Sequence, residues 1–236
     1  MAATAIIGGS GLFASPLFSQ LARRPVETPY GPVEIGEDER LVFLQRHGRP
    51  PLPPHRINNR ANLLALKQCG VRFLVAVNST GSLIRALKPG SLVVPDDYFN
   101  PWAIPTFFDD RPEFTTPGLS AEVRRALLAA GRRLGIGLGD GGTYIQTTGP
   151  RFETRAEVRV LAGWGEIVGM TMAAEATLAR ELDLAYASLC LVDNYANGVA
   201  EQTVDIREVE EAQRQNSRIL EKLLPAVLAE LERVES

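Results

Sequence analysis

Two almost uninterrupted apolar runs limit the folds that are open to this chain. They cover residues 71–77 and 184–192, and neither alternates between apolar and polar side chains. Short runs of this kind are typical of strands that are buried on both faces, as in the middle of a parallel sheet. The two runs therefore predict an α/β fold in which a central sheet is covered by helices.

Shorter strands and amphipathic helices surround these two runs. Further strands are predicted over residues 4–7, 41–44, 92–94 and 143–147. Helices are predicted over residues 58–68, after a Ser120 cap, after the capping box of Thr154 and Glu157, and over residues 206–234 with a bend at Pro225. This order favours a mixed, mostly parallel sheet with helices on both faces. Nothing resembles a linker, so we expect one domain over residues 1–236.

Charge and composition exclude several classes of protein. The net charge is −3, so the chain lacks the basic surface expected for binding nucleic acid or an anionic membrane. Cys69 and Cys190 are far apart, and with only two histidines they cannot supply the usual zinc ligand sets. We therefore expect no metal site and two buried free thiols, which suit a reducing cytoplasm.

We expect no secretory signal in the first residues. They lack a basic n-region, and Gly8, Gly9 and Pro16 interrupt the apolar stretch. No apolar run approaches the roughly 20 residues of a membrane span. We expect a cytoplasmic protein without membrane or nucleic-acid partners.

A glycine-rich turn follows the first predicted strand. Residues 9–14 fit the pattern G-x-G-x-x-A of dinucleotide-binding modules, but four prolines interrupt the region where the following helix and strand would lie. A tight turn that needs glycine for positive φ is a second interpretation. In a third, backbone amides and the Ser10 hydroxyl hold a free phosphate. The turn alone leaves all three open.

Donor side chains collect at the ends of several predicted strands. Arg46 and His47 follow one strand, Ser79 follows another, and Thr171 follows the short segment 167–170. Ligands of α/β sheets bind at the carboxyl ends of strands. A strand-end hydroxyl taken singly usually satisfies backbone groups. As a set, the guanidinium of Arg46 and the hydroxyls of Ser10, Ser79 and Thr171 predict a phosphate site.

Five motifs, in order along the chain, resemble the trimeric purine nucleoside phosphorylases and, among these, the branch of methylthioadenosine and methylthioinosine phosphorylases. The motifs are GGSGL at 8–12, RHG at 46–48, PHRIN at 54–58, GPRFE at 149–153 and GMT at 169–171. The likeness extends to about Asp205. It implies a nine-stranded mixed sheet, a homotrimer, and phosphorolysis of a purine nucleoside, with inorganic phosphate as co-substrate and no cofactor or metal.

The resemblance also implies roles for individual residues. Five positions correspond to phosphate ligands: Ser10, Arg46, His47, Ser79 and Thr171. Eight correspond to substrate contacts: Asn78, Phe152, Glu153, Met170, Asn194, Tyr195, Ala196 and Val204. Within this set, Phe152 would pack against the base and Met170 against the ribose. Asn194 and His47 are the implied catalytic residues.

The base site departs from the pattern of the methylthioadenosine enzymes. Those enzymes place two aspartates beside adenine in a D-x-D pattern, whereas this chain has Asn194 and Ala196. The amide of Asn194 can donate to a 6-oxo oxygen and accept from N7–H, and Glu153 can accept the N1–H of hypoxanthine or guanine. The pair predicts a 6-oxopurine. A helix-start charge for Glu153 and a turn cap for Asn194 are the alternatives.

The 5′ end of the substrate is expected to be apolar. No histidine follows Asn194, and Val204 corresponds to the valine of the methylthio branch, which would leave a buried 5′-hydroxyl unpaired. Our leading hypothesis is phosphorolysis of S-methyl-5′-thioinosine. The alternatives are a general 6-oxopurine nucleoside phosphorylase acting on inosine or guanosine, a methylthioadenosine phosphorylase, and a nucleotide-binding module without catalysis.

Overall fold

One sheet of eleven strands organises the part of the chain that this computed structural model describes, which is residues 4–9, 12, 15–201 and 204–235. The strands are β1 (Thr4–Gly8), β2 (Ala22–Val26), β3 (Val33–Glu37), β4 (Leu41–Gln45), β5 (Phe73–Ser82), β6 (Leu92–Val94), β7 (Asp97–Phe99), β8 (Gly139–Asp140), β9 (Thr143–Gln146), β10 (Ile167–Gly169) and β11 (Ala185–Tyr195). The helices are α1 (Asn59–Gln68), α2 (Ala121–Leu134), α3 (Arg155–Leu161), α4 (Met172–Glu181) and α5 (Ile206–Glu235).

The two apolar runs form neighbouring central strands. β5 lies between β1 and β11, and both pairings are parallel. Near its carboxyl end, β5 also pairs in antiparallel fashion with β10, so Gly81 lies opposite both Val168 and Asn194. The sheet is mixed and mostly parallel, as predicted. It forks at the end of β5, and the fork positions the site described below.

Helices cover both faces of the sheet, and alternate residues of each central strand point to opposite sides. In β1, Ala5 and Ile7 pack with α1 and α4, whereas Ile6 packs with α2 and α5. A smaller third cluster joins α3 to β9 and β10. These contacts confirm the predicted α/β class. The long final helix is continuous through Pro225, which is exposed and leaves the buried face intact.

The structure differs from the sequence-based predictions at the edges of the sheet. The described residues form eleven strands rather than nine; β2, β3, β7 and β8 were not predicted, and β10 had been described only as a short segment. β2 reads ARRPV and exposes four of its five residues, so it carries no apolar pattern. In contrast, β5 and β11 run beyond their predicted ends. Asn78, Ser79 and Asn194 therefore lie within strands and not after them.

Candidate active site

A cavity of about 260 Å³ opens where the sheet forks at the end of β5. Its lining brings together ten of the predicted site residues from four strand ends and three loops. They are Arg46, His47, Ser79, Phe152, Glu153, Met170, Thr171, Asn194, Ala196 and Val204. Ser10 lies outside the described residues. The groups predicted to bind phosphate and the groups predicted to bind a base thus share one cavity.

Two predicted substrate residues are not part of this lining. Asn78 is fully buried beneath it, where its amide donates to Thr171 Oγ1 at 2.8 Å and accepts from Ser188 Oγ at 2.6 Å. The hydroxyl of Tyr195 donates to the carbonyl of Arg85 at 3.2 Å. Asn78 therefore acts on the cavity through Thr171, and the Tyr195 hydroxyl is engaged elsewhere.

Arg46 is held by a buried carboxylate that sequence reasoning missed. Its Nε and Nη2 donate to Glu175 of α4, and Nη1 donates to the Val77 carbonyl at 2.9 Å. The Arg46 and Glu175 side chains are each 1% exposed. Burial lowers the pKa of Arg46, but the attraction of Glu175 outweighs it and the pKa is raised. The guanidinium is fixed as a cation, because a buried charge needs such a partner.

The sequence had suggested that the whole guanidinium group of Arg46 faces a ligand. The structure shows that only part of it does. Two of its five N–H groups remain for the cavity once the three contacts above are made. Glu175 also accepts from the Tyr186 hydroxyl at 2.8 Å, which fixes the carboxylate in turn. The arrangement favours a guanidinium that is rigid and only partly available for an anion.

His47 lies beside Arg46 and is half-buried. Its Nδ1 is 2.8 Å from the carbonyl oxygen of Leu52 and donates to it. Burial and the neighbouring Arg46 charge lower the pKa of His47, although the Leu52 contact opposes them. The imidazole is therefore neutral near neutral pH, with its Nδ1–H orientation fixed by the backbone.

The hydroxyl of Ser79 donates to the buried carboxylate of Asp193. Asp193 stands at a bulge in β11, between Val192 and Asn194. It also accepts from Gln213 and Asn216 of α5, at 3.4 and 3.1 Å. Burial raises the pKa of Asp193 to about 6, although these three donors oppose the shift.

Thr171 is the cap residue before α4, and the three backbone N–H groups of residues 171–173 already have acceptors. The backbone amides of Thr171 and Met172 donate to the Tyr144 hydroxyl at 3.1 and 3.3 Å, and Ala173 donates to Gln146 at 3.0 Å. Burial raises the pKa of Tyr144, so its hydroxyl stays neutral. At this end of α4, Thr171 therefore presents its side chain to the cavity, whereas these three backbone N–H groups are occupied within the protein.

Glu153 and Asn194 form the other polar part of the cavity. Glu153 is buried, its Oε1 accepts from Thr147 Oγ1 at 2.7 Å, and no described residue donates to its Oε2. One N–H of the Asn194 amide donates to the Tyr195 carbonyl at 2.8 Å. The second N–H and the carbonyl of that amide have no hydrogen bond among the described residues. A carboxylate oxygen, an amide donor and an amide acceptor are therefore available for a ligand.

The start of α5 closes one side of the cavity. Val204, Ile206 and Val209 present apolar surface, and Gln213 adds an amide. The backbone of Val204 is held by Asn197, which also binds the carbonyl of Glu153 at 2.8 Å. Of these lining residues only Val204 was predicted, because the long helix had been interpreted solely as packing.

Glu175, Asp193 and Gln213 are the main polar residues that the sequence analysis missed. A signal existed for two of them. Glu175 is the only acid in the apolar first turns of α4, and Asp193 is an acid that directly follows a buried apolar run. Such positions are costly unless a partner is present, and they mark groups that hold other side chains. Gln213 lies in an amphipathic helix, where a glutamine is ordinary, so its position in the sequence does not indicate a role in the site.

Among the described residues, no cluster of three or more histidine, cysteine or acidic side chains has the geometry for a metal ion. Within the same ranges, no helix is both long enough and apolar enough to cross a bilayer.

The sequence matches the phosphorylase superfamily over residues 3–229. A probable 6-oxopurine nucleoside phosphorylase of Archaeoglobus fulgidus is 39% identical, over 90% of this chain and 90% of that protein. A probable S-methyl-5′-thioinosine phosphorylase of Methanothermobacter thermautotrophicus is 39% identical, over 98% of this chain and 85% of its own length. The structure of methylthioadenosine phosphorylase from Schistosoma mansoni in complex with adenine is also similar, with a TM-score of 0.89, 29% identity, and coverage of 99% and 92%.

Proposed function

Because this chain belongs to the phosphorylase superfamily, we propose that its substrate is S-methyl-5′-thioinosine, which phosphate would cleave to hypoxanthine and 5-methylthioribose 1-phosphate. The chain is a pentosyltransferase of the nucleoside phosphorylase type, and phosphorolysis of 6-oxopurine nucleosides is its activity. The thionucleoside is the finer proposal. One observation carries it: the apolar side chains of Val204, Ile206 and Val209 line the same cavity as Glu153 and Asn194.

We assign the phosphate end of the cavity to Arg46, His47, Ser79 and Thr171, together with Ser10. The C–N bond to the purine breaks through an oxocarbenium-like ribose, and bound phosphate attacks its anomeric carbon. Phosphate held close to that carbon also stabilises the cation by charge. Positioning and fixed electrostatics supply most of the rate enhancement in such a site. The pre-paired Arg46 suits this role, because its guanidinium need not reorganise.

We assign the base end to Phe152, Glu153, Met170, Asn194 and Ala196. The available oxygen of Glu153 accepts N1–H, and the second N–H of Asn194 donates to O6. N7 carries no proton in the nucleoside; as the leaving base gains negative charge it takes one from solvent, and the carbonyl of Asn194 then accepts from the resulting N7–H. Adenine presents the reverse pattern at N1 and at its 6-amino group, and mispaired buried polar groups cost about 1–3 kcal/mol each.

The 5′ substituent would lie against the apolar start of α5. Val204, Ile206 and Val209 offer carbon atoms to a methylthio group. A 5′-hydroxyl against the same three side chains would lose its hydrogen bonds to water without replacement.

A general 6-oxopurine nucleoside phosphorylase is the second candidate. The relative from Archaeoglobus fulgidus bears that description, and Gln213 gives the α5 wall one amide that a 5′-hydroxyl could use. The discriminating experiment is phosphate-dependent turnover on inosine, guanosine, adenosine, methylthioinosine and methylthioadenosine. We expect the highest kcat/KM for methylthioinosine. Equal values for inosine would favour the second candidate, and turnover without phosphate would overturn both.

We also propose a cytoplasmic homotrimer. Large apolar side chains are exposed between residues 99 and 114 and around α3. Exposed apolar surface of this kind is typical of an interface with another subunit. The side chains are Phe99, Trp102, Ile104, Phe114, Val160 and Trp164. Both cysteines are free and buried, which suits a reducing compartment. Light scattering should give three times the 25.7 kDa chain mass, and a fully active monomer would exclude the trimer.

A further inference from the structure

Asp193 is a buried carboxyl group directly behind the wall of the cavity. It is 3% exposed and does not line the cavity itself. Its Oδ2 accepts from Ser79 and, at 3.4 Å, from Gln213, and its Oδ1 accepts from Asn216 at 3.1 Å. Ser79 and Gln213 do line the cavity. Asp193 therefore acts on any ligand through these two side chains.

The contact with Asp193 determines what Ser79 can offer. A serine hydroxyl has a single proton, and in this structure that proton is donated to the carboxylate. The oxygen of Ser79 also accepts from Gln213 Nε2 at 3.2 Å. Only a lone pair of Ser79 is left for the cavity. A deprotonated oxygen of the phosphate dianion, which presents only lone pairs, would be repelled there.

Protonation of Asp193 reverses this polarity. A neutral carboxyl group can donate its proton to Ser79 Oγ, and the serine can then turn its own proton toward phosphate. We propose that Asp193 takes up one proton from solvent when phosphate binds, so that Ser79 changes from a donor to Asp193 into a donor to phosphate. This inference rests on the proposed function, because phosphate at Ser79 is its premise.

Burial of Asp193 favours the neutral acid, although the three side chains that donate to it oppose the shift. The groups that face it are Ser79 from β5 and the amides of Gln213 and Asn216 from α5, all uncharged, and burial raises its pKa to about 6. The ionisable side chains of the adjoining cavity are Arg46, His47 and Glu153. A bound dianion next to Ser79 adds a further negative charge, which raises the pKa again. Asp193 is thus ionised in the free enzyme above pH 6 and neutral in the complex.

The test compares the pH dependence of phosphate affinity in the wild type and in Asp193→Asn. The asparagine amide donates to Ser79 at every pH, so this variant mimics the protonated acid. Kd for inorganic phosphate is measured by thermal-shift titration at about pH 6 and about pH 8. At pH values above the pKa that Asp193 has in the phosphate-free enzyme, the proton that binds with phosphate must be taken from solution. Each further pH unit should therefore raise the Kd of the wild type by up to tenfold relative to the variant. Ionisation of phosphate and of His47 is common to both proteins and cancels.

We expect a difference of at least tenfold between the two proteins over this pH range. The matched control is Asp140→Asn, an exposed carboxylate that pairs with Arg124 far from the cavity, and it should follow the wild type. Calorimetry of wild-type phosphate binding in buffers of different ionisation enthalpy gives a second reading, which does not depend on how the variant folds. At about pH 8, where phosphate is already mostly dianionic, it should show an uptake close to one proton.

Two results would overturn the inference. One is a parallel pH dependence of Kd in the wild type and Asp193→Asn, and the other is a proton uptake near zero. Either result, found together with phosphate-dependent cleavage of methylthioinosine, would leave the proposed function intact. Absence of phosphate-dependent cleavage would instead remove the proposed function and, with it, the premise.

Discussion

The phosphate end and the base end of the cavity are built in different ways. At the phosphate end, every described side chain already has a protein partner: Arg46 has Glu175, His47 has Leu52, Ser79 has Asp193 and Thr171 has Asn78. At the base end, Glu153 and Asn194 each make a single side-chain hydrogen bond among the described residues and keep further capacity for a ligand.

This difference separates catalysis from selectivity. The phosphate end lies directly after β4, within β5 and just before α4, where changing one residue leaves a buried partner unsatisfied. The base end lies on the loop before α3 and on the end of β11, where residues can change with less damage to the core. We therefore expect substitutions at the phosphate end to affect folding and activity together, and those at the base end to change the choice of substrate.

The largest effect is expected for Arg46→Ala. It removes a charged donor from the phosphate end and leaves Glu175 buried and unpaired, which costs about 3–5 kcal/mol of folding free energy. Denaturant unfolding and phosphate KM measure the two losses. Arg151→Ala is the matched control, because it breaks an exposed pair with Glu157 and should change stability little. An Arg46→Ala protein of wild-type stability and phosphate KM would show that this end is not pre-organised.

The next effect is base selectivity, measured as kcat/KM for methylthioinosine against methylthioadenosine. Two mismatches of about 1–3 kcal/mol each predict a 10²- to 10⁴-fold preference for the 6-oxopurine in the wild type. Asn194→Asp alone should lose 6-oxopurine activity without gaining adenosine-type activity. The double variant with Glu153→Gln should move furthest toward the 6-aminopurine. A wild type that prefers methylthioadenosine would refute our assignment of the base end.

A smaller change is expected at the 5′ position. Val209 is 5% exposed and lines the cavity from α5. Val209→Ser removes apolar contact with a methylthio group and offers a hydroxyl to inosine, so the preference for methylthioinosine over inosine should fall about tenfold. Val234→Ser replaces an exposed valine near the end of α5, outside this cavity, and serves as the control. If both variants keep the wild-type ratio, the start of α5 does not contact the 5′ substituent.

Sequence alone was sufficient for the centre of this molecule and insufficient for its edges and its polar partners. The apolar runs that form β5 and β11 are recognisable in the sequence, because strands buried on both faces must be apolar throughout. β2 is not, since an exposed edge strand needs no such pattern, and β3 mixes buried and exposed residues over only five positions. Six of the ten lining residues could be assigned because they lie within short local motifs. The other four, Ser79, Asn194, Ala196 and Val204, were assigned as positions that the family resemblance implies. The partner of Arg46 could not be assigned, because Glu175 is 129 positions away and only the folded chain brings the two together.

The bulge at Asp193 gives a second reason why the site was only partly predictable. Strand periodicity places alternate residues on one face, but the register of β11 shifts between Val192 and Asn194. The shift lets the Asp193 carboxylate reach Ser79 and α5, while Asn194 still lines the cavity. A bulge leaves no mark in the sequence, so the contact between Ser79 and Asp193 follows only from the structure.

The smallest effect concerns the helix cap that follows the base end. The hydroxyl of Thr154 accepts from the amide of Glu157, and the Glu157 carboxylate returns a contact to the Thr154 amide, so the cap starts α3 directly after Glu153. Thr154→Ala should cost about 1 kcal/mol of stability. Ser120→Ala removes the comparable cap of α2, whose residues do not line the cavity, and should cost a similar amount.

The comparison between these two cap variants separates stability from selectivity. If α3 holds the base end in place, only Thr154→Ala loosens Glu153, and the ratio of methylthioinosine to methylthioadenosine turnover should fall a few-fold in that variant alone. Ser120→Ala should lose the same stability and keep the wild-type ratio. Equal ratios in the two variants, at equal loss of stability, would mean that Glu153 is positioned by Thr147 and Asn197 and not by the helix that follows it. The base end would then be as firmly held as the phosphate end.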